Sequence, residues 1–123
     1  MEKKELTLNE YQKLAMTTCM PSCDNFSYMN LNLGGEYGEF NSKIAKLIRK
    51  GKAHIENSRL IFHDDVTPEE ISAIRKELGD IFWQLNGCCT VLGWDANSIC
   101  QENLDKLASR KERGQIDGDG DNR

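Results

Sequence analysis

The chain has 123 residues, the length of one domain with a single modest core. Apolar residues make up 38% and charged residues 29%, which is typical of a soluble globular protein and not of a disordered one. The net charge of -4 argues against duplex nucleic acid as a partner, because phosphate binding needs a basic surface. No apolar run reaches the roughly 20 residues that span a bilayer, and the N-terminus has no apolar signal segment, so we expect a cytoplasmic protein without membrane attachment.

The first half of the chain predicts two helices. The first covers about residues 7–18, with Thr7 or Asn9 as its N-cap. The segment CMPSCDNFSYMN is rich in turn-forming residues and predicts a loop. The second helix covers about residues 31–50 and ends before Gly51. Its apolar stripe at helical spacing consists of Tyr37, Phe40, Ile44, Leu47 and Ile48.

The second half predicts two more helices. The third has the clearest start, because Thr67 is a suitable N-cap, Pro68 suits the first helical position and Glu70 can complete a capping box. The fourth is expected over residues 95–113, with Asp95 as its cap. The apolar face of the third helix consists of Ile71, Ile74, Leu78, Ile81, Phe82, Leu85 and Leu92.

The segment between the second and third helices, KAHIENSRLIFHDD, is ambiguous, since residues 59–63 could form a short strand or a surface loop. No alternating pattern is long enough to predict a sheet. We therefore predict an all-α fold, a bundle of about four helices or paired helical hairpins. The helical domain is expected to cover residues 1–113, and a flexible Gly/Asp-rich tail residues 114–123.

Five cysteines are present, and an odd number without a secretion signal argues against a disulfide framework. Cys19 and Cys23 have a spacing that zinc could use, yet no second ligand pair follows them. Buried apolar packing is the preferred interpretation.

Two pairs of acidic residues border the apolar stripes of the second and third helices. Each pair is spaced i, i+3, so its carboxylates leave the same face of the helix. The four residues are Glu36, Glu39, Glu77 and Asp80. If the two stripes pack together, four like charges converge, and a divalent cation is the simplest compensation. Carboxylate oxygens suit Mg²⁺ or Mn²⁺ better than zinc. The pattern alone leaves open that these are ordinary solvated helix positions.

A basic stretch lies late in the second helix. Positive charge near a helix C-terminus is favourable by itself, so a solvated surface is preferred over substrate steering. The stretch consists of Lys43, Lys46, Arg49, Lys50 and Lys52.

Three runs of residues carry a family resemblance. GGEYGEF and the later KELGDIFWQL resemble the ExxE and ExxD motifs of the MazG-like, all-α nucleoside triphosphate pyrophosphohydrolases. NLDKLASRK resembles the Asn-x-x-Lys segment on the last helix of that family. The order and spacing of all three runs agree, and the resemblance covers about residues 8–113.

The resemblance implies a compact helical domain that works as a homodimer or homotetramer. It implies hydrolysis of a (d)NTP between the α and β phosphates, which gives a nucleoside monophosphate and pyrophosphate. Mg²⁺ is the implied cofactor, with Mn²⁺ as a substitute. The implied metal ligands are Glu36, Glu39, Glu77 and Asp80.

The resemblance also assigns roles on the last helix. Asn103 and Lys106 would contact the nucleotide phosphates or the metal shell. The chemistry of phosphoryl transfer, and not the resemblance, adds the expectation that Lys106 with Arg110 holds the released pyrophosphate end. The expected catalytic residues are Glu36, Glu39 and Lys106, with one of the two glutamates orienting or deprotonating the attacking water.

One position departs from the family pattern. Many members have a further Glu directly before the first motif Glu, where this chain has Gly35. Two alternatives to an active enzyme follow, a non-catalytic sensor of magnesium-bound nucleotide and a helical scaffold whose carboxylates are surface charges.

Overall fold

The computed structural model describes residues 4–121. In chain order these residues form α1 (Leu8–Met16), α2 (Phe26–Arg49), β1 (Ala53–Glu56), β2 (Arg59–Phe62), α3 (Pro68–Val91) and α4 (Ala96–Glu112), with a short 3-10 turn at Pro21–Cys23. α2 packs chiefly along α3, and α1 packs on α3 and α4. The predicted helical fold class is confirmed. Within this range no helix is both long and apolar enough to cross a bilayer.

α2 begins at Phe26, five residues before the predicted start, so the predicted loop extended too far. Asn25 caps the helix, and its side-chain oxygen accepts a hydrogen bond from the Tyr28 N–H at 2.8 Å. Met29, in the first turns, is completely buried against α3. The cap and this burial offset the low helix propensity of the three glycines further along α2.

α3 and α4 begin where the sequence predicts. Thr67 Oγ1 accepts from the Glu70 N–H at 3.1 Å, and the Glu70 carboxylate accepts from the Thr67 N–H at 3.0 Å, which completes the predicted capping box. The Asp95 carboxylate accepts from the Ser98 N–H at 2.9 Å. Both helix starts are determined by neighbouring residues, because the capping groups lie within four residues of one another.

The ambiguous segment between α2 and α3 forms a small two-stranded sheet, where the sequence left a short strand at residues 59–63 open and gave no pattern long enough to predict a sheet. β1 and β2 pair antiparallel, with His54 opposite Ile61. Asn57 and Ser58 connect the strands with φ of 51° and 63°, the left-handed conformation at both central positions of a type I′ turn. The sequence carried the cue, because a two-residue turn starting with Asn sits between AHIE and RLIF.

The core is small and lies where the hairpin meets α2 and α3. It consists of Leu47, Ala53 and Ile74, with the partly buried Phe40, Ile44, Leu60 and Val66 packed around it. Closer to the other end of the helix pair, Gly87 allows α2 to approach α3. A Cβ at Gly87 would overlap the Met29 sulfur, so any larger side chain would displace the buried Met29 side chain.

Much of the predicted apolar face of α3 remains exposed in the single chain. Phe82 is 58% exposed, and Leu78 and Leu85 are also exposed. These three residues are spaced i, i+4 and i+7 and therefore lie on one side of the helix. A contiguous apolar strip of this kind is typical of a surface that another chain covers.

The tail folds back on α4 at its last described residue, Asp121, which contacts Arg110 and Lys106. Residues 1–3 and 122–123, at the ends of the two predicted units, lie outside the described residues. The division at residue 113 stays a prediction.

Candidate metal and nucleotide site

Three of the four predicted metal ligands meet where α2 faces α3. Glu36, Glu39 and Glu77 each place one carboxylate oxygen so that the three atoms lie within 4.8 Å of one another. Glu77 is 6% exposed, Glu36 is partly buried and Glu39 is exposed. The cluster is therefore closed on the side of the helix interface and open to solvent at Glu39.

Two oxygens of the cluster have no hydrogen-bond donor. Glu36 Oε2 and Glu77 Oε2 are both buried and unpartnered. A buried carboxylate oxygen without a donor is costly, so nearly all such atoms in folded proteins have a partner. A cation bound by the three carboxylates would compensate the charge of the two residues that carry these atoms. The all-oxygen donor set fits a hard divalent ion.

Electrostatic repulsion at the site is visible in Glu36. Burial raises the pKa of the Glu36 carboxyl, and the negative charges of Glu39 and Asp80 raise it further. A hydrogen bond from Asn32 acts in the opposite direction without cancelling the shift. The protein thus compensates the negative charge around Glu36 only in part.

Asp80, the fourth predicted ligand, is exposed and is not one of the three clustered residues. It is nevertheless close enough for its charge to act on the site. Burial is the main cause that raises the pKa of Tyr11 on α1, and the charge of Asp80 raises it further. Asp80 also contributes to the raised pKa of Glu36. Its role as a ligand stays a prediction.

Lys43 is a site residue that the sequence interpretation placed on the solvated surface. Its Nζ lies 2.6 Å from Glu77 Oε1, and this hydrogen bond is the main cause that raises the pKa of Lys43. Helical spacing could have found it, because Lys43 follows Glu36 by seven residues and Glu39 by four. In the metal-free chain the ammonium group supplies part of the missing positive charge.

A chain of amides that sequence reasoning missed orients Glu36. Gln84, 1% exposed, donates from Nε2 to the Met29 carbonyl oxygen at 3.2 Å. Asn32 Nδ2 donates to Gln84 Oε1 at 2.9 Å and to Glu36 Oε1 at 3.2 Å. Asn32 precedes Glu36 by four residues, and Gln84 follows Glu77 by seven. Each amide therefore lies on the same helix face as its glutamate. Glu36 is therefore held by a hydrogen bond to Oε1, while its buried Oε2 has no donor.

The predicted phosphate-binding residues lie apart from this cluster, on α4. Asn103 is exposed. Lys106 Nζ and Arg110 Nη2 each lie 3.1 Å from Asp121 Oδ1, and these two cations lower the pKa of Asp121, Lys106 more strongly. Within residues 4–121, no hydrogen bond or ion pair joins the three α4 residues to the carboxylates.

The family model for the MazG nucleotide pyrophosphohydrolase domain matches residues 25–114, which include the carboxylate cluster and α4. The chain belongs to the MazG nucleotide pyrophosphohydrolase family. It is also similar to the Gene 37 protein of Mycobacterium phage L5, with 35% identity over 102 residues that cover 83% of this chain and 80% of that protein. The recognition made from the three sequence motifs is confirmed.

MazG domains depend on a divalent metal, and the donor set of this chain agrees with that property. The position where many MazG members have an additional Glu is open in the structure. A Cβ at Gly35 would meet only Asn32 Oδ1, at 3.4 Å, an ordinary contact distance. Gly35 is therefore not required by the packing of α2.

Proposed function

We propose that this chain is a Mg²⁺-dependent nucleoside triphosphate pyrophosphohydrolase. It cleaves a (d)NTP between the α and β phosphates and releases a nucleoside monophosphate and pyrophosphate. The observation that carries the proposal is the convergence of Glu36, Glu39 and Glu77 with two buried oxygens that lack a donor. Family membership adds the class of substrate.

Glu36, Glu39 and Glu77 would hold the metal ion, with Asp80 as the fourth ligand. Mg²⁺ is favoured because it binds through a few carboxylates together with substrate phosphate oxygens, and Mn²⁺ shares this preference. When bound, the ion neutralises phosphate charge and polarises a phosphoryl oxygen. The protein prepares the site through the bonds that Asn32 and Gln84 make, which fix the Glu36 carboxylate before any ligand arrives.

Glu39 is our assignment for the group that orients the attacking water. It is the exposed member of the cluster, so water reaches its carboxylate directly. Water oxygen attacks the α phosphorus, its proton passes to the Glu39 carboxylate, and the bond from the α phosphorus to the bridging oxygen breaks. The bridging oxygen leaves with pyrophosphate. Such a reaction depends mostly on positioning and charge neutralisation.

Lys43 would move from Glu77 to the phosphates when a metal ion takes its place. With Lys46 and Lys50 it lines a groove of about 200 Å³ between α2 and α3, and Lys43 connects this groove to the cluster through its contact with Glu77. A row of ammonium groups at this place suits the β and γ phosphates of the substrate. Part of the basic stretch of α2 would thus bind substrate.

Three residues of α4 would bind substrate phosphate across a subunit interface, namely Asn103, Lys106 and Arg110. In the single chain two of them, Lys106 and Arg110, form ion pairs with Asp121, which supports a role in binding an anion. The exposed strip of Leu78, Phe82 and Leu85 on α3 supports a homodimer or homotetramer, in which α4 of one subunit approaches the carboxylates of another. Duplex nucleic acid is not expected to bind the acidic chain.

A panel of NTPs and dNTPs incubated with the protein and Mg²⁺ in H₂¹⁸O tests the proposal. We expect monophosphate and pyrophosphate in equal amounts, with ¹⁸O in the monophosphate because water attacks the α phosphorus. Asp80→Asn should strongly reduce turnover if Asp80 is a ligand. Diphosphate and orthophosphate as products would contradict the cleavage position.

The second candidate is a sensor that binds magnesium-bound nucleotide without turnover. Gly35, at the place of a Glu in many relatives, favours it. Calorimetry separates the candidates, because a sensor shows binding of nucleotide with Mg²⁺ and no products. Absence of both metal and nucleotide binding would leave a helical scaffold.

A further inference from the structure

The hairpin carries a pair of histidines that the proposed reaction does not use. His54 lies on β1, and His63 directly follows β2. Their ring centroids are 4.9 Å apart, and His54 Nδ1 lies 2.6 Å from His63 Nε2. Two imidazoles thus face each other through one nitrogen each.

The outer nitrogens of the two rings face oxygen acceptors. His63 Nδ1 lies 2.6 Å from the carbonyl oxygen of Gly51, which can only accept, so this nitrogen carries a proton and the Nε2 of the neutral ring presents a lone pair. His54 Nε2 lies 3.7 Å from a carboxylate oxygen of Glu56. The His63 ring is therefore oriented by a backbone carbonyl, and the Glu56 carboxylate lies near the outer nitrogen of His54 at more than hydrogen-bond distance.

Metal-binding histidines bind the ion through one nitrogen and donate the other N–H to a carbonyl or carboxylate. His63 matches this pattern through Gly51, and Glu56 is the nearby carboxylate that would accept from His54. We propose that the hairpin binds a borderline divalent ion, Zn²⁺ above all, through His54 Nδ1 and His63 Nε2. Gly51 and Glu56 would hold the two rings in place. Imidazole nitrogen suits Zn²⁺, whereas the carboxylate cluster suits Mg²⁺.

Little movement is needed to admit the ion. Two imidazole nitrogens on one tetrahedral Zn²⁺ stand about 3.4 Å apart, given bond lengths near 2.1 Å. The pair would open by less than about 1 Å, and the His54 side chain is 46% exposed. The proton that His54 Nδ1 donates to His63 would move to His54 Nε2, opposite Glu56, so the rearrangement conserves protons.

The remaining coordination positions are left to water. Among residues 4–121, the only compact group of three or more potential ligands is the carboxylate cluster, so no third side chain completes the hairpin site. A site with two protein ligands and open positions is accessible to exchange. A bound ion would link His54 on β1 to His63 after β2. Through the contact of His63 with Gly51, it would also link the hairpin to the end of α2.

Calorimetric titration of the full chain with Zn²⁺, in saturating Mg²⁺ and under reducing conditions, tests the proposal. Saturation with Mg²⁺ occupies the carboxylates. The free cysteines can also bind Zn²⁺, so the deciding quantity is the difference between the wild type and a His54→Gln, His63→Gln double variant. We expect the double variant to lose one equivalent of bound Zn²⁺. Equal isotherms for the two proteins would refute the site.

Two further measurements distinguish ligation from a structural role of the histidines. Glu56→Gln should weaken Zn²⁺ binding about tenfold, because it alters the group behind a ligand without removing the ligand. In ¹⁵N-labelled protein, Zn²⁺ should shift His54 Nδ1 and His63 Nε2, the nitrogens named as ligands, more than the outer nitrogens. Unchanged ring-nitrogen shifts would also overturn the proposal. Neither result depends on nucleotide hydrolysis.

Discussion

Glu70 and Glu77 lie two turns apart on α3, yet their carboxylates have opposite surroundings. Glu70 accepts hydrogen bonds from Lys52 and from the Thr67 N–H, and these donors, Lys52 first, lower its pKa from 4.5 to about 2. Glu77 has one oxygen paired with Lys43 and the other buried without a donor. One glutamate is satisfied by the protein, and the other is only partly satisfied.

The difference separates a carboxylate that the protein itself satisfies from one that we propose to bind a metal ion. Glu70 stabilises the start of α3 through the capping box and its ion pair. Glu77 and Glu36 reduce the stability of the metal-free chain, because a buried oxygen without a partner carries its full desolvation cost. Substitutions at the two places should therefore affect different properties.

The largest expected effect is that of Glu77→Gln on turnover. Removing one charge from the cluster should lower kcat/KM at least about 100-fold, the scale on which single charge-stabilising groups act in catalysis. The proposed function predicts that Mg²⁺ raises Tm of the wild type by binding the folded state, and this rise should disappear in the variant. Steady-state kinetics and thermal unfolding with and without Mg²⁺ measure both.

Glu70→Gln is the matched control for that variant, since it changes the same residue type on the same helix. It should lower Tm and leave kcat unchanged at a temperature where the protein is folded, and only KM should respond, because Glu70 lines the groove of Lys43, Lys46 and Lys50 but does not belong to the carboxylate cluster. Equal losses of turnover in the two variants would remove the distinction between the two carboxylates.

Lys43→Met should affect the nucleotide and the metal in opposite directions. We expect KM for the triphosphate to rise about tenfold, the effect of losing one charged hydrogen bond to phosphate. Binding of Mg²⁺ without nucleotide should become tighter, because the competing ammonium at Glu77 is gone. Kinetics and calorimetry report the two effects separately.

Lys46→Met is the control for this experiment, because Lys46 lines the same groove without an ion pair to Glu77. It should change the affinity for metal alone much less than Lys43→Met. Identical metal affinities in both variants would mean that Lys43 does not compete for the cation position.

Thr67→Ala tests the structural side of the comparison alone. Loss of the N-cap side chain should lower the free energy of unfolding by about 1 kcal/mol. The kinetic constants should not change, because Thr67 contacts Glu70 and not the cluster. Urea unfolding gives the free energy, and a change in kcat/KM would show that the helix start and the cluster are coupled.

The smallest effect concerns acid stability. The pKa of Glu70 is lowered in the folded state, so its stabilising contribution is present above its ordinary value of 4.5 and is lost as the pH falls through about 2. The difference in unfolding free energy between wild type and Glu70→Gln should therefore shrink between these pH values. Urea unfolding at a series of pH values measures it, and a constant difference would exclude the ionised Glu70 as its source.

The sequence by itself determined the features that depend on neighbouring residues. The starts of α3 and α4 were predicted correctly because a cap and the N–H groups it bonds lie within one turn of chain. The same reason applies to the two acidic pairs, Glu36 with Glu39 and Glu77 with Asp80. Their i, i+3 spacing places each pair on one face of its helix. Three short motifs in the right order then sufficed to recognise the family.

Only the tertiary structure decided which carboxylate oxygens lack a donor, because that depends on contacts between residues far apart in sequence. Glu77 receives Lys43 from α2, and Asn32 reaches Gln84 across 52 positions. The burial of Met29 against Gly87 likewise moved the start of α2, which local propensity placed too late. Helical periodicity identifies the face on which a side chain lies, but the partner on the facing helix determines whether its charge is compensated.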